Sequence, residues 1–412
     1  NNTGKSDPNI DPFQRIVPDE MMADIHYLIN RANIRGEETA QDDVVGIQDY
    51  TKKANEDDRI DLQDVEVSAY ASPDGEIDFN TDLAAKRKET SSKFLAEKLK
   101  EAGVEIELKT KYTPEDWDGF KELMEQSNIQ DKELILRVLS MYNDPEVRER
   151  EIRNLSETFT DVAEEILPKL RRAKMTTTVE LIGKTDEELK AAAKSDPASL
   201  NPAELLYAAT LFEDLNEQLS VYNSFMKVYS DDWRGPNNAG YVLVKQNKYA
   251  DAAPLFEKAE KLKNDWPILK NNLGATTLNA GDIEEAETLF GAAAGAGDEV
   301  NYNLGIVSVK KAEYDKAVKY FSNDADINTA VAKMMAGDNN GALKDLEAFE
   351  RPNCFMKEYL KAVIGARTAK ENLLFESLEE ACKINPEMKD KAKSDMEFAK
   401  YMQNPKFTAI VD

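Results

Sequence analysis

The sequence has 412 residues, 41% of them hydrophobic, and carries a formal net charge of −26 with a pI near 4.6. The length favours two or more domains, and the acidic charge excludes nucleic acid as an expected partner, because phosphate binding needs a basic surface. One histidine (His26) and two cysteines (Cys354 and Cys382) are too few for a His/Cys metal cluster. We therefore expect a protein that is not an enzyme, with no catalytic residues, no metal and no cofactor.

No run of about 18 apolar residues occurs, so the sequence predicts no transmembrane segment. Residues 1–19 are polar and contain Pro8, Pro12 and Pro18, a pattern that predicts an N-terminal tail or linker. These residues do not have the pattern of a signal peptide. We expect any export signal or membrane anchor to lie in a segment that precedes this sequence.

Residues 20–183 alternate between predicted strands and predicted helices. Apolar or alternating segments predict strands at residues 23–30, 65–71, 104–112 and 174–182. Amphipathic patterns predict helices at residues 38–54 and 80–101 (the latter ending before Gly103), then at 115–126, 131–142 and 145–171. This order predicts an α+β domain, a β-α-β-α-β sandwich with a helical insertion over about residues 114–172.

A strand–turn–helix motif includes the turn at residues 72–75. Gly75 is followed by Asn80, Leu83 and Arg87 at steps of five, three and four residues. The motif resembles the peptidoglycan-binding domain of the OmpA family, and the paired Arg171-Arg172 before the last strand extends the resemblance. The resemblance implies binding of the diamino acid of the peptidoglycan stem peptide, with an arginine on its carboxylate and an acid on its amine. The implied peptidoglycan-binding residues are Ser72, Asp74, Asn80, Leu83 and Arg87.

The sequence departs from the OmpA family in this turn. Ser72 stands where the family has an aspartate, and Asp74 is the candidate replacement. The wall-binding hypothesis requires the Arg87 guanidinium to face an open hollow beside the turn. The alternative is a degenerate OmpA-like fold in which Arg87 pairs with Asp78 or Asp82 and peptidoglycan is not bound.

Three stretches of the C-terminal half share one spacing of small and aromatic residues. Each has a glycine, an alanine twelve residues later and a phenylalanine four residues after that: Gly240/Ala252/Phe256, Gly274/Ala286/Phe290 and Gly305/Ala317/Phe321. Small residues let two antiparallel helices approach closely, and the phenylalanine fills the gap between them. The glycines are 34 and 31 residues apart, and the pattern is similar to that of the tetratricopeptide repeat family.

Weaker repeats are predicted at residues 201–232, 323–350 and 355–386, followed by a polar capping helix. The sequence thus predicts a linker over residues 184–200, which is a connector or a short helix, and an all-α tetratricopeptide superhelix over residues 201–412.

The tetratricopeptide resemblance implies a peptide-binding concave face formed by the first helix of each pair. The candidate residues on it are Asn238, Asn272, Asn303 and Asn328. A carboxamide can both donate to and accept from a peptide backbone, so these residues could bind a partner without side-chain selectivity. The alternative is that asparagine is simply common at this repeat position.

These patterns predict a non-enzymatic cell-envelope adaptor in the periplasm, associated with the outer membrane through a preceding segment. Its OmpA-like domain would bind peptidoglycan, and its repeats would bind an unknown protein or peptide. The alternative is a protein–protein scaffold whose OmpA-like domain does not bind peptidoglycan. Cys354 and Cys382 are interpreted as free thiols, with a disulfide in an oxidising compartment as the alternative.

Overall fold

The computed structural model describes residues 5, 6, 8, 13–321 and 326–412, apart from the side chains of residues 156–158. The chain divides into two compact units. The sheet unit is Gln14–Lys184, and the repeat unit combines Asn1–Phe13 with Thr185–Asp412.

Within the described residues, the sheet unit holds four strands in the order β1-β4-β2-β3. β1 (Ile16–His26) and β2 (Ile60–Tyr70) each pair antiparallel with β4 (Arg172–Ile182), and β3 (Lys109–Thr113) pairs parallel with β2. The alternating pattern of these strands places one side-chain set in the core, including Val65, Val67 and Met175, all fully buried.

Helices α1 (Gly36–Thr39), α2 (Asp42–Glu56) and α3 (Ile77–Glu101) lie between the first three strands in the chain. Ile47 of α2 and Leu95 of α3 join the core beside the strands. At the end of α3, Gly103 has a φ of 83°, and the Val104 N–H donates to the Leu99 carbonyl at 2.8 Å. The predicted stop at Gly103 is confirmed, because glycine adopts this left-handed conformation without strain.

Three of the strand predictions are wrong in extent. The strand predicted at residues 65–71 is β2, which begins five residues earlier, at Ile60. The strand predicted at residues 23–30 begins at Ile16, inside the predicted tail, and ends at His26. Pro18 does not prevent this, because β1 is an edge strand, where a missing N–H is tolerated. The strand predicted at residues 104–112 is limited to β3, and Val104 is instead a buried core residue before it.

The predicted helical insertion lies between β3 and β4. Its elements are α4 (Trp117–Gln126), α5 (Lys132–Met141), α6 (Pro145–Arg153), α7 (Ser156–Asp161), a π-helical stretch (Val162–Ile166) and α8 (Leu167–Leu170). The insertion has a hydrophobic core of its own, which includes Phe120, Met124 and Ile135. The helical segment predicted at residues 145–171 is confirmed apart from a break at residues 154–155, between α6 and α7.

The repeat unit contains, within the described residues, six pairs of neighbouring helices that pack against each other. The pairs are α10 (Pro202–Thr210) with α11 (Leu215–Val228), α12 (Arg234–Lys245) with α13 (Tyr249–Leu262), α14 (Pro267–Ala280) with α15 (Ile283–Ala292), α16 (Asp298–Lys310) with α17 (Tyr314–Phe321), α18 (Ile327–Met335) with α19 (Asn339–Ala348), and α20 (Phe355–Arg367) with α21 (Glu371–Ile384).

The helices of the three strongest repeats meet where the sequence predicts. A Cβ atom added to Gly240, Gly274 or Gly305 would lie 2.7, 2.6 or 2.5 Å from the ring of the phenylalanine sixteen residues later. These three rings belong to Phe256, Phe290 and Phe321 and are almost completely buried. The glycines are therefore required by the close approach of ring and helix backbone.

Of the two interpretations of residues 184–200, a connector or a short helix, the structure has a short helix. Helix α9 spans Asp186–Ser195 and packs Leu189 and Ala193 into the core of the first repeat. It begins with a capping box, in which Thr185 and Glu188 each accept a backbone N–H of the other. After α21, the predicted capping helix is two short helices, α22 (Met388–Ser394) and α23 (Pro405–Val411). No described helix is both long enough and apolar enough to cross a membrane.

Candidate functional site

Five asparagines lie on the first helices of three successive repeats, and we name them the asparagine ladder. Asn237 and Asn238 belong to α12, Asn271 and Asn272 to α14, and Asn303 to α16. Each is at most 2% exposed. A buried carboxamide costs free energy unless it is hydrogen-bonded, so the partners of these side chains determine what the surface can do.

Side-chain hydrogen bonds join the asparagine ladder from one helix to the next. The Asn303 Nδ2 donates to the Asn271 Oδ1 at 2.8 Å, and the Asn272 Nδ2 donates to the Asn237 Oδ1 at 2.8 Å. Within each helix, Asn271 donates to Asn272 at 3.3 Å and Asn237 donates to Asn238 at 2.9 Å. The ladder is thus one continuous row of carboxamides across α12, α14 and α16.

The end of this row binds the backbone of Lys5. The Lys5 N–H donates to the Asn303 Oδ1 at 2.6 Å. The Lys5 carbonyl accepts from the Asn303 Nδ2 at 2.8 Å and from the Asn271 Nδ2 at 3.1 Å. Side chains of the ladder therefore form hydrogen bonds with both the N–H and the C=O of one residue. Such an arrangement recognises the backbone rather than a side chain.

Tyr302 occupies in α16 the repeat position that Asn237 occupies in α12 and Asn271 in α14. The Lys5 Nζ lies 3.6 Å from the centroid of its ring, within the range of a cation–π interaction. The Tyr302 hydroxyl donates to Asp326 at 2.8 Å and accepts from the Asn328 Nδ2 at 2.6 Å. Asn328 therefore contacts Tyr302, and among the described residues it has no hydrogen bond to the ladder.

Other residues of the N-terminal segment, Asn1–Phe13, also pack on the repeat unit. Ser6 is buried, and the Phe13 ring stacks on Tyr207 with 4.4 Å between the centroids and 17° between the planes. The prediction of a tail or linker is therefore wrong for these residues, because the repeats supply partners for their backbone and for one aromatic ring. Residues 16–19 of the predicted tail form the start of β1, Pro8, Gln14 and Arg15 are in neither a helix nor a strand, and residues 1–4, 7 and 9–12 lie outside the described residues.

The sequence prediction of the ladder included Asn238, Asn272 and Asn303 but missed Asn237 and Asn271. A signal was available, because each missed residue forms an Asn-Asn pair with a predicted one. Aligning one asparagine per repeat discarded the second member of each pair. Tyr302 had no such signal, because an aromatic residue in a helix is usually explained by packing.

The residues predicted to bind peptidoglycan meet around the turn at residues 72–75. The Ser72 hydroxyl donates to the Asp74 carboxylate, which also forms an ion pair with the Arg171 guanidinium at 3.1 Å. The Arg171 Nε donates to the Ser72 Oγ at 3.2 Å. The Asn80 Nδ2 stabilises the turn by donating to the carbonyls of Ser72 and Gly75 at 3.2 and 3.1 Å.

Arg87 does not face an open hollow, so that expectation is wrong. Its side chain has no exposed surface and donates to three backbone carbonyls, those of Tyr70 at 2.8 Å, Arg31 at 2.9 Å and Leu28 at 3.3 Å. Burial lowers the pKa of Arg87 to about 10, which leaves it charged at neutral pH. Among the described residues, its hydrogen-bond partners are these carbonyls rather than Asp78 or Asp82.

The other predicted residues have mixed roles. Leu83 is buried and packs against Ala71, the residue before the turn, and Ala84. Asp74, the candidate to bind an amine, already forms an ion pair with Arg171. Of the two consecutive arginines at positions 171 and 172, Arg171 is the one that contacts the turn. We name Ser72, Asp74, Asn80, Arg87 and Arg171 the turn site.

Cys354 and Cys382 are free thiols, and burial raises the pKa of Cys382. No group of three or more histidine, cysteine or carboxylate side chains that could hold a metal occurs within the described part of the chain.

No family model and no curated protein matches this chain. Solved structures do resemble it. YrrB, described as a TPR protein with an unusual peptide-binding site, is 21% identical, with 42% of this chain and 98% of that chain covered and a TM-score of 0.34. A tetratricopeptide repeat protein from Parabacteroides merdae is 16% identical, with 64% and 98% covered and a TM-score of 0.39. Yeast Tom70 is 14% identical, with 78% of each chain covered and a TM-score of 0.33.

All three similarities have TM-scores below 0.5. The description of the helical part as tetratricopeptide-like therefore rests on its own helix pairs and glycine–phenylalanine contacts.

Proposed function

We propose that the chain is a non-enzymatic adaptor whose repeat unit binds an extended segment of a protein or peptide through the asparagine ladder. The observation that carries this proposal is the set of three hydrogen bonds between the backbone of one residue, Lys5, and the side chains of Asn271 and Asn303. Any segment with an extended backbone offers the same N–H and C=O groups, so the surface can accept a segment of another chain.

A peptide with the sequence of residues 1–13, added to the full-length Lys5→Pro variant, tests the backbone contact. Proline at position 5 has no N–H to donate to Asn303, which weakens the chain's own segment as a competitor. We expect N-methylation of the peptide's fifth residue to raise its Kd about five- to tenfold, because it removes one hydrogen bond. Fluorescence polarisation of the labelled peptides measures both Kd values.

The same titrations with Asn303→Ala in the Lys5→Pro background should remove the difference between methylated and unmethylated peptides. Asn264→Ala is the matched control, because Asn264 is an exposed asparagine of the repeat unit. It should preserve the difference. Equal Kd values for the two peptides on the Lys5→Pro chain would contradict the proposed function.

For the sheet unit we propose peptidoglycan binding at the turn site, as the OmpA resemblance implies. The ion pair between Asp74 and Arg171 supports this candidate, since it lies in a turn and its side chains are 19% and 12% exposed. A diamino acid presents an ammonium beside a carboxylate. The ligand ammonium can pair with Asp74 in place of Arg171, and the ligand carboxylate can pair with Arg171 in place of Asp74. Buried Arg87 would then support the turn rather than contact the ligand.

Wall binding would place the protein in the periplasm, near the outer membrane if a preceding segment anchors it. The alternative is a protein–protein scaffold whose sheet unit has no affinity for peptidoglycan. Both versions share the peptide-binding repeats.

Sedimentation with purified peptidoglycan sacculi separates these alternatives. We expect the intact chain to co-sediment and Arg171→Ala to remain in the supernatant, because the variant lacks the guanidinium that would bind the ligand carboxylate. Arg153→Ala is the matched control, since Arg153 contacts the same turn only through the Asp74 carbonyl, at 2.8 Å. Its sedimentation should be unchanged. If none of the three proteins sediments, the scaffold alternative holds.

A further inference from the structure

Tyr302, which precedes the last asparagine of the ladder in the sequence, contacts the side chain of the residue that the ladder binds. Tyr302 follows the ladder positions Asn237 and Asn271 in repeat register, and the Lys5 ammonium lies over its ring at 3.6 Å. The Lys5 backbone is held at the same place by Asn271 and Asn303. Backbone and side chain of a single residue are thus engaged by three neighbouring groups.

We propose that Asn271, Tyr302 and Asn303 form a subsite for one basic residue of an extended peptide, and that Lys5 of the same chain is its resident occupant. This inference rests on the proposed peptide-binding function and specifies the ligand class. The partner is a segment with a lysine or arginine at the position that meets the Tyr302 ring, and it binds in competition with the N-terminal segment.

The Tyr302 ring is fixed in place before any ligand arrives. It is 8% exposed, it packs against Phe321 at a centroid distance of 5.3 Å, and its hydroxyl is held by Asp326 and Asn328. Accepting a hydrogen bond from this hydroxyl, the Asp326 carboxylate adds negative charge at the edge of the ring. A ring with a fixed orientation loses little entropy when a cation settles on it.

The N-terminal segment is a strong competitor because it is tethered. Phe13 stacks on Tyr207 of the same unit, eight residues after Lys5. A tether of this length holds Lys5 at an effective concentration of about a millimolar, so a free peptide must exceed that level or bind more tightly. The repeat unit is therefore self-occupied until a partner displaces the segment.

Charge distinguishes the proposed ligand from other peptides. A cation over an aromatic face is stabilised by the ring quadrupole, whereas a neutral amide of similar length is not. Acetylation of the lysine leaves its backbone and its aliphatic chain unchanged but removes the positive charge. The lysine peptide and its acetyl-lysine counterpart therefore differ at the Tyr302 contact and not at the asparagine contacts.

The experiment uses labelled peptides with the sequence of residues 1–13, carrying lysine or Nε-acetyl-lysine at position five, and full-length protein. We expect Lys5→Pro to bind the lysine peptide about tenfold more tightly than the wild-type chain does, because its own segment loses the N–H bond and the cation–π contact. On Lys5→Pro, the lysine peptide should bind about three- to fivefold more tightly than the acetyl-lysine peptide.

Two substitutions in the Lys5→Pro background assign this preference to the ring. Tyr302→Leu should abolish it, and Tyr302→Phe, which keeps the ring, should retain it. Equal affinities for lysine and acetyl-lysine peptides on Lys5→Pro would overturn the basic subsite, and equal affinities of wild-type and Lys5→Pro chains would overturn self-occupancy. The proposed function is judged separately by the N-methylated peptide, whose lysine side chain is intact.

Discussion

Replacing Arg87 with alanine is expected to lower the free energy of unfolding of the sheet unit by about 3–5 kcal/mol. The guanidinium donates to the carbonyls of Leu28, Arg31 and Tyr70, and its removal leaves these acceptors without that partner. The fully buried position also becomes a cavity. Chemical denaturation of a chain with Trp233→Phe and Trp266→Phe, whose remaining tryptophan is Trp117 of the sheet unit, measures the change by fluorescence.

Two further variants show whether the loss comes from the guanidinium. Lys86→Ala, at an exposed position of the same helix α3, should change stability by less than about 0.5 kcal/mol. Arg87→Lys keeps a charge but lacks the planar fork, so we expect an intermediate loss. If Arg87→Ala is as stable as Lys86→Ala, the proposed structural role of the guanidinium is contradicted.

Gly274→Ala is expected to destabilise the repeat unit by about 1–3 kcal/mol. The new methyl group would lie 2.6 Å from a carbon of the Phe290 ring, and both α14 and α15 are too closely packed for the ring to move freely. The effect opposes the intrinsic preference of helices for alanine, which alone would stabilise by about 1 kcal/mol. Denaturation of a chain with Trp117→Phe, followed by the fluorescence of Trp233 and Trp266 in the repeat unit, measures it.

Gly291→Ala provides the matched control, because Gly291 lies in α15 and a Cβ there meets no described atom within 4 Å. It should leave stability unchanged or raise it. Combining Gly274→Ala with Phe290→Leu should cost less than the sum of the two single changes, since the smaller side chain makes room for the methyl group. Stabilisation by Gly274→Ala alone would contradict the proposed packing.

The repeats were predictable because their packing depends on residue type at fixed spacing. Gly240 and Phe256 are sixteen residues apart in the sequence and meet where two antiparallel helices pack closely, as this spacing predicts. The same holds for Gly305 and Phe321. For residues 184–200 the sequence left open a connector or a short helix, although Thr185 and Glu188 have the spacing of a capping box. Helix α9 packs only Leu189 and Ala193 into the core, and so short a buried face gives a weak periodic signal.

The orientation of Arg87 could not be predicted from spacing. An arginine that binds a ligand and one that binds backbone carbonyls occupy the same helix position. What decides between them is the path of the chain after β1, which brings the carbonyls of Leu28 and Arg31 to the guanidinium from 59 and 56 residues away. That path leaves no pattern in the sequence of α3.

The binding of Lys5 was equally hidden. Its contacts with Asn303 join residues 298 positions apart and involve main-chain atoms, which every residue possesses. Hydrophobic periodicity, the main signal of secondary structure, reports nothing about such a contact. Only the asparagines themselves indicated that an extended backbone was expected nearby.

The direction of the hydrogen bonds in the asparagine ladder gives the surface a polarity. Along the row each nitrogen donates to the next oxygen, from the Lys5 N–H through Asn303, Asn271, Asn272 and Asn237 to the Asn238 Oδ1. No single carboxamide can rotate half a turn without setting oxygen against oxygen or hydrogen against hydrogen. The row therefore reverses as a whole or not at all, and a main-chain donor arriving at Asn303 biases the orientation of a side chain two helices away.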